Sequence, residues 1–234
     1  MPQNPRIALI IPALNEAGTI GLLLRQLPRA RLSQIVVVDN GSSDSTPQIG
    51  RDGGAEVLLE PRRGYGRACQ RGLAALHPET QAVAFMDADL SDDPADLDRL
   101  LNEMESGGWD MIIGSRVLGR AQQGSLTPLQ RFGNWLTTRL IALIWGVRFT
   151  DLGPLRLVTT SALRRMALRD GDFGWNVEMQ AKAAAMGLRV LEIPVTYRPR
   201  AAGKSKISGT LRGSFAAGAK ILYTVFKCWK MPQR

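Results

Sequence analysis

The sequence predicts an α/β fold, a mostly parallel central sheet flanked by helices on both faces. Three observations carry this prediction. Short apolar runs alternate with longer stretches of helical periodicity. The runs are almost continuously apolar, as strands covered on both faces are, instead of switching apolar and polar. Polar residues gather where several of the runs end, with helix-start signals close behind.

Taken in order, Ile7–Ile11 is a first strand, because it breaks at Pro12 and Glu16 too early for the apolar core of a secretory signal. Thr19–Leu27 carries leucines at 22, 23, 24 and 27 and reads as a helix. Gln34–Val38 is a second strand, running into Asp39-Asn40-Gly41-Ser42-Ser43-Asp44. Ser43, Asp44 and Ser45 before Thr46-Pro47 then open a helix over Ser45–Asp52. Glu56–Leu59 is a third strand and Arg67–Leu76 a helix. Ala82–Met86 is a fourth strand, stopping abruptly at Asp87-Ala88-Asp89. In Pro94–Glu105, Pro94 sits at a natural first-turn position, and Leu97, Leu100, Leu101 and Met104 form one apolar stripe. Met111–Ile113 is a fifth strand, ending in Gly114-Ser115-Arg116.

Beyond this point the pattern changes. Thr127–Trp145 is a long helix, followed by a loop around Asp151–Pro154, helices near Ser161–Leu168 and Gly174–Met186, and a last strand, Arg189–Tyr197. Thr210–Lys230 mixes Phe215, Tyr223, Phe226 and Trp229 with Arg212, Lys220, Lys227 and Lys230. The expected organisation is one domain over 1–209 and a basic amphipathic helix over 210–234. That helix either packs on the domain or lies on a membrane surface.

With 234 residues, 44% of them hydrophobic, the chain can bury a sizeable core. Its net charge of +9 points to phosphate-bearing partners: nucleotides, anionic lipid surfaces or nucleic acid. Nucleic acid is disfavoured, because the basic residues are dispersed and no recognised binding module is present. Cys69 and Cys228 form no metal pattern, which fits a reduced cytoplasmic chain. The single histidine, His77, gives no basis for a histidine-dependent nucleophile or metal site. No run reaches the length of about 18 apolar residues that a membrane span requires, so attachment would be peripheral.

Asp87-Ala88-Asp89 is the strongest chemical signal. Two carboxylates one residue apart on extended chain share a side, and desolvating them calls for a cation. Oxygen ligands of this kind suit Mg²⁺ or Mn²⁺, which share phosphate oxygens with a substrate. Taken alone, such a pair is more often a solvated strand end than a metal site; the polar ends at four strands favour the functional reading. Gly64-Tyr65-Gly66 is no dinucleotide-binding loop, because the third glycine would fall at Cys69 and the motif follows the third strand. Gly64 and Gly66, beside Arg62, Arg63 and Arg67, either approach a nucleotide or form a turn on a basic face.

The ordered set Ile11–Glu16 (IPALNE), Val37–Thr46 (VVDNGSSDST), Arg63–Ala68 (RGYGRA), Asp87–Pro94 (DADLSDDP) and Gly114–Arg116 resembles the inverting glycosyltransferases of family 2. The later segments Asp151–Arg156, Trp175–Met179 and Arg200–Lys206 are similar to the polyprenyl (dolichyl) phosphate sugar synthase branch. The resemblance implies a GT-A fold and a GDP- or UDP-linked sugar donor, a divalent metal and a polyprenyl phosphate acceptor. It implies that Pro12, Asn15, Glu16, Asp39, Gly64, Gly66 and Asp87 line the nucleotide-sugar pocket, with Lys204 and Lys206 closing over the phosphates. Asp89 would be the principal metal ligand, assisted by Asp87. Arg116 and Arg131 would lie by donor or acceptor phosphates, and Arg200 and Lys204 would also meet the acceptor phosphate. Two positions depart from the branch: Ser91 stands where glutamine is frequent, and Gly153–Arg156 lacks the aromatic residue before its arginine.

The implied function is metal-dependent transfer of a hexose at the cytoplasmic membrane face, with direct membrane contact or a membrane-protein partner. An anionic phosphate acceptor needs positioning more than deprotonation. A hydroxyl acceptor needs a general base, for which Glu178, Asp170 and Asp172 are candidates, and Glu178 would then be catalytic. Glu178 has a structural alternative, bracing the helix it stands on. A non-catalytic nucleotide-sugar-binding protein is the remaining alternative.

Overall fold

A computed structural model of the chain describes residues 6–201 and 211–230, the side chains of 211–219 apart. Lys204 and Lys206 lie outside the described residues. The strands are β1 (Ile7–Ala13), β2 (Gln34–Asp39), β3 (Glu56–Leu59), β4 (Ala82–Phe85), β5 (Met111–Ala121), β6 (Arg156–Thr159) and β7 (Val190–Tyr197). The helices are α1 (Ile20–Gln26), α2 (Thr46–Asp52), α3 (Tyr65–Leu73), α4 (Pro94–Ser106), α5 (Pro128–Trp145), α6 (Thr160–Met166), α7 (Trp175–Ala185) and α8 (Leu211–Trp229).

The strands form one sheet in the order β3-β2-β1-β4-β6-β5-β7. Only β6 runs against the others: its pairings with β4 and β5 are antiparallel, and every other pairing is parallel. This is the α/β arrangement of the GT-A fold, with the mostly parallel sheet that the apolar runs predict. Successive residues of β1 supply both faces. Ile7, Leu9 and Ile11 pack with Leu23 of α1 and Leu97 and Leu101 of α4, while Ile10 packs opposite with Cys69 of α3 and Met179 of α7. Cover on both sides is why these strands read as continuous apolar runs.

Two strand features escape the sequence pattern. β6 is absent from it because Arg156 opens a strand of only four residues, yet that arginine is fully buried. β5 extends past Ile113 to Ala121, with a register shift between Ser115 and Arg120, and its outer half is too polar to read as buried strand. α5 opens with a capping box, Thr127 accepting the Gln130 N–H while the Gln130 side chain accepts the Thr127 N–H.

α8 packs against α5 and α7, burying Thr224, Val225 and Cys228. Its Lys220 ammonium lies 3.0 Å from Asp170. Its other side exposes Tyr223, Phe226 and Trp229, so packing and an outward apolar face coexist on one helix.

Candidate functional site

The ends of β1, β2 and β4 meet at one edge of the sheet. Ala13 pairs with Asp39 across β1 and β2, and Ile10 pairs with Phe85, which brings the residues following β4 beside Pro12. The loops that follow are locked together. The Ser43 N–H donates to Asn15 Oδ1 at 2.8 Å, the Asn15 N–H donates to Ser42 Oγ at 2.8 Å, and the Glu16 N–H donates to Thr46 Oγ1 at 2.8 Å. Asn15 holds a positive φ of 51°, which asparagine tolerates better than most residues. Buried Asp39 accepts the Ser42 N–H, so its first job is shaping this turn.

The acidic motif departs from the geometry expected of it. β4 stops at Phe85, Asp87 lies beyond it, and Ala88 and Asp89 form a turn; Leu90 follows with φ of 61°. Asp89 is buried, and its Oδ1 accepts the Ser91 N–H at 2.9 Å. Its Oδ2 lies 3.0 Å from Arg200 Nε, while Arg200 Nη1 lies 3.2 Å from Glu16 Oε1. Arg200, expected at an acceptor phosphate, pairs here with Asp89 and Glu16.

Burial, and after it the Asp89 carboxylate, push Asp87 up to about 7. Asp92 is also buried, with neither carboxylate oxygen hydrogen-bonded, and burial drives its carboxyl well above the usual range. Burial and neighbouring carboxylates make Asp87 and Asp92 costly to ionise here, and Arg200 and Arg116 offset that only in part. A further cation would favour their charged forms. The donors are all oxygens, which suits Mg²⁺ or Mn²⁺ completed by phosphate and water. Among the described residues no group of three or more His, Cys, Asp or Glu converges on one point, so the protein would supply only part of the coordination.

Gly64 and Gly66 have a packing role. Side chains there would collide with the Gly171 and Asp170 carbonyls, and Gly171 O accepts the Arg67 N–H at 3.0 Å. The missing side chains admit the 170–172 backbone. Gly66→Ala should therefore cost about 2 kcal/mol and lower the melting temperature by about 4–8 °C, measured by calorimetry.

The same loop explains Glu178. Its Oε2 accepts the Arg169 and Asp170 N–H groups at 2.9 and 2.6 Å, and its Oε1 lies 2.7 Å from buried Lys182, which also donates to Ala167 O. Glu178 is 3% exposed and holds this turn.

Arg116 and Arg131 do come together. They line a groove of about 780 Å³ between the outer half of β5, α5 and residues 148–150. Arg116 bonds Asp151 through Nε at 2.7 Å and Nη2 at 2.8 Å, and it lies 4.9 Å over the Tyr197 ring. Burial alone would lower its pKa; the Asp151 bonds outweigh that and raise it. Arg139 and Arg148 line the groove too, as do Trp135 and Val117. Sequence reasoning missed these two arginines; the spacing of Arg139, two helical turns after Arg131, was the available signal.

Arg156 lies beneath the site, with Nε donating to Gly153 O, Nη1 to Asn176 O and Nη2 to Gln180 Oε1. Burial lowers its pKa to about 10.

Comparison with known proteins bears on this geometry. A family model described as glycosyl transferase family 2 matches residues 8–171. An uncharacterized glycosyltransferase of Mycobacterium tuberculosis is 36% identical over 212 residues, covering 90% of this chain and 94% of its own. A dolichyl-phosphate hexose transferase of Haloferax volcanii is 31% identical over 229 residues, covering 94% and 92%. The crystal structure of glucosyl-3-phosphoglycerate synthase from M. tuberculosis, in complex with Mn²⁺, UDP and glucosyl-3-phosphoglycerate, superposes with a TM-score of 0.75 at 20% identity. It covers 97% of this chain and 81% of that one.

Proposed function

The chain belongs to glycosyltransferase family 2, and we propose that it transfers a hexose from a nucleotide sugar to a polyprenyl phosphate at a membrane surface. The observation that carries the choice of acceptor is Trp135. This side chain lines the groove of Arg116 and Arg131, yet it is 53% exposed on a helix whose Leu129, Phe132 and Leu143 are also at least half exposed. α8, packed against α5, adds Tyr223, Phe226 and Trp229. Trp135 in the arginine-lined groove, with six more large apolar side chains exposed on α5 and α8, matches a molecule with an anionic head and a hydrocarbon tail. No described helix is long and apolar enough to cross a membrane, so contact would be interfacial.

On the donor side, Asp89 with Asp87 would hold Mg²⁺ or Mn²⁺, and Pro12, Glu16 and Asp39 would border a GDP- or UDP-linked sugar. The solved M. tuberculosis synthase binds Mn²⁺ and UDP, which supports this class of donor. A divalent ion there neutralises charge on the departing nucleoside diphosphate. The acceptor phosphate oxygen attacks the anomeric carbon as the bond to the diphosphate breaks, with inversion. Because that phosphate is already anionic, no side chain needs to remove a proton, which agrees with Glu178 being held by Lys182 and two backbone N–H groups. Arg131, and Arg116 held square by Asp151, would position the phosphate.

A small phosphorylated acid would suit these arginines as well, so the apolar face is the discriminating feature. Wild-type protein should float with anionic vesicles, and the double variant Trp135→Ser/Trp229→Ser should bind at least about tenfold more weakly. Wild type that stays with the soluble fraction would overturn membrane docking. A wild-type dimer that the same variant converts to monomer would assign the face to self-association instead.

A further inference from the structure

Arg200 stands where the donor site calls for a cation. Its guanidinium bridges Asp89 Oδ2 at 3.0 Å and Glu16 Oε1 at 3.2 Å, two carboxylates 73 positions apart in the chain. The bridge does not rest on one flexible side chain. Tyr197 forms an antiparallel bridge with Asp92, the Arg198 N–H donates to Ser91 O at 2.8 Å, and the Ala201 N–H donates to Asp89 O at 3.3 Å. The segment from Tyr197 to Ala201 is thus clipped along the acidic loop, which aims Arg200 back over Asp89. Its side chain stays 30% exposed, so it has a way out, while Asp89 beneath it is buried.

A guanidinium and a divalent ion compete for the same carboxylates. Both draw on the negative charge of Asp89, and like charges a few ångströms apart in a partly desolvated site repel strongly. Removing the arginine without a replacement would take away the charge that bridges Asp89 and Glu16. Resting on the donor-site reading above, we propose that Arg200 is a built-in counter-cation. It neutralises the acidic edge of the empty donor site, and metal entry displaces it, so that metal loading unclips the strap formed by residues 197–201.

The proposal separates an arginine that excludes metal from one that helps to bind it. Mn²⁺ is titrated into the full-length, nucleotide-free protein, and free Mn²⁺ is followed by electron paramagnetic resonance. Arg200→Gln should bind Mn²⁺ at least about tenfold more tightly than wild type, and Arg200→Lys should fall between them. Without metal, Arg200→Gln should melt at a lower temperature than wild type, and Mn²⁺ should raise its melting temperature more than it raises that of wild type. The melting control shows that each variant is folded. Equal Mn²⁺ affinity in wild type and Arg200→Gln would overturn the exchange while leaving the metal site intact. Weaker binding in Arg200→Gln would overturn it too, by making Arg200 a supporter of the metal. No Mn²⁺ binding to either protein would remove the metal site itself, and the exchange with it.

Discussion

Asp89→Ala should lower sugar transfer on the order of a thousandfold, a loss of about 4 kcal/mol of transition-state stabilisation. Two effects add in this variant. The carboxylate that would hold the divalent ion is lost, and charge developing on the departing diphosphate is left without its counterpart. Arg200 loses one of its two anchors as well, because its Nε bonds Asp89 and only its Nη1 reaches Glu16. The loss should lie mainly in turnover and metal dependence rather than in folding, since the Ser91 N–H beside Asp89 is the only backbone donor whose bond to this carboxylate is described. Steady-state rates over a range of Mn²⁺ concentrations, together with a melting curve, separate the two. A variant that keeps most of the wild-type rate at saturating donor would remove Asp89 from the chemistry.

Glu178→Ala should have the largest effect on stability, a loss of about 3–5 kcal/mol. Lys182 is buried, and its ammonium has described partners only in Glu178 and Ala167 O. Without the carboxylate a buried cation is left uncompensated, and the Arg169 and Asp170 N–H groups lose their acceptor. The disturbance would spread through the 170–172 loop to Gly64 and Gly66 and, through Asp170, to Lys220 on α8. Denaturant unfolding measures it directly. A stability within about 0.5 kcal/mol of wild type would show that the pair braces nothing, and would return Glu178 to consideration as a base.

The fold was largely legible because the sheet is covered on both faces. Runs such as Ala82–Phe85 had to be apolar throughout, and the helices between them had to carry apolar stripes. β6 was hidden by a buried arginine whose polar atoms are satisfied by Gly153, Asn176 and Gln180, contacts that periodicity does not express. The polar ends of β1, β2 and β4 could be expected to gather for the same reason the fold was legible: parallel strands deliver their ends to one edge. What spacing did not reveal was prior commitment. Asp89 and Glu16 are already joined by a residue 184 positions from Glu16, and the glycines at 64 and 66 make room for a loop more than a hundred residues away. These are long-range pairings, and local sequence carries no trace of them.

The central claim is transfer to a lipid phosphate. Its most direct test incubates the protein with anionic vesicles containing a short polyprenyl phosphate, Mg²⁺ or Mn²⁺, and a panel of labelled GDP- and UDP-sugars. A parallel reaction offers phosphoglyceric acid in place of the lipid. Label from one donor should move into the organic phase, and the movement should disappear in Asp89→Ala. Label that reaches only the water-soluble acid, with the lipid left unmodified, would contradict the account and make this a soluble-acceptor enzyme.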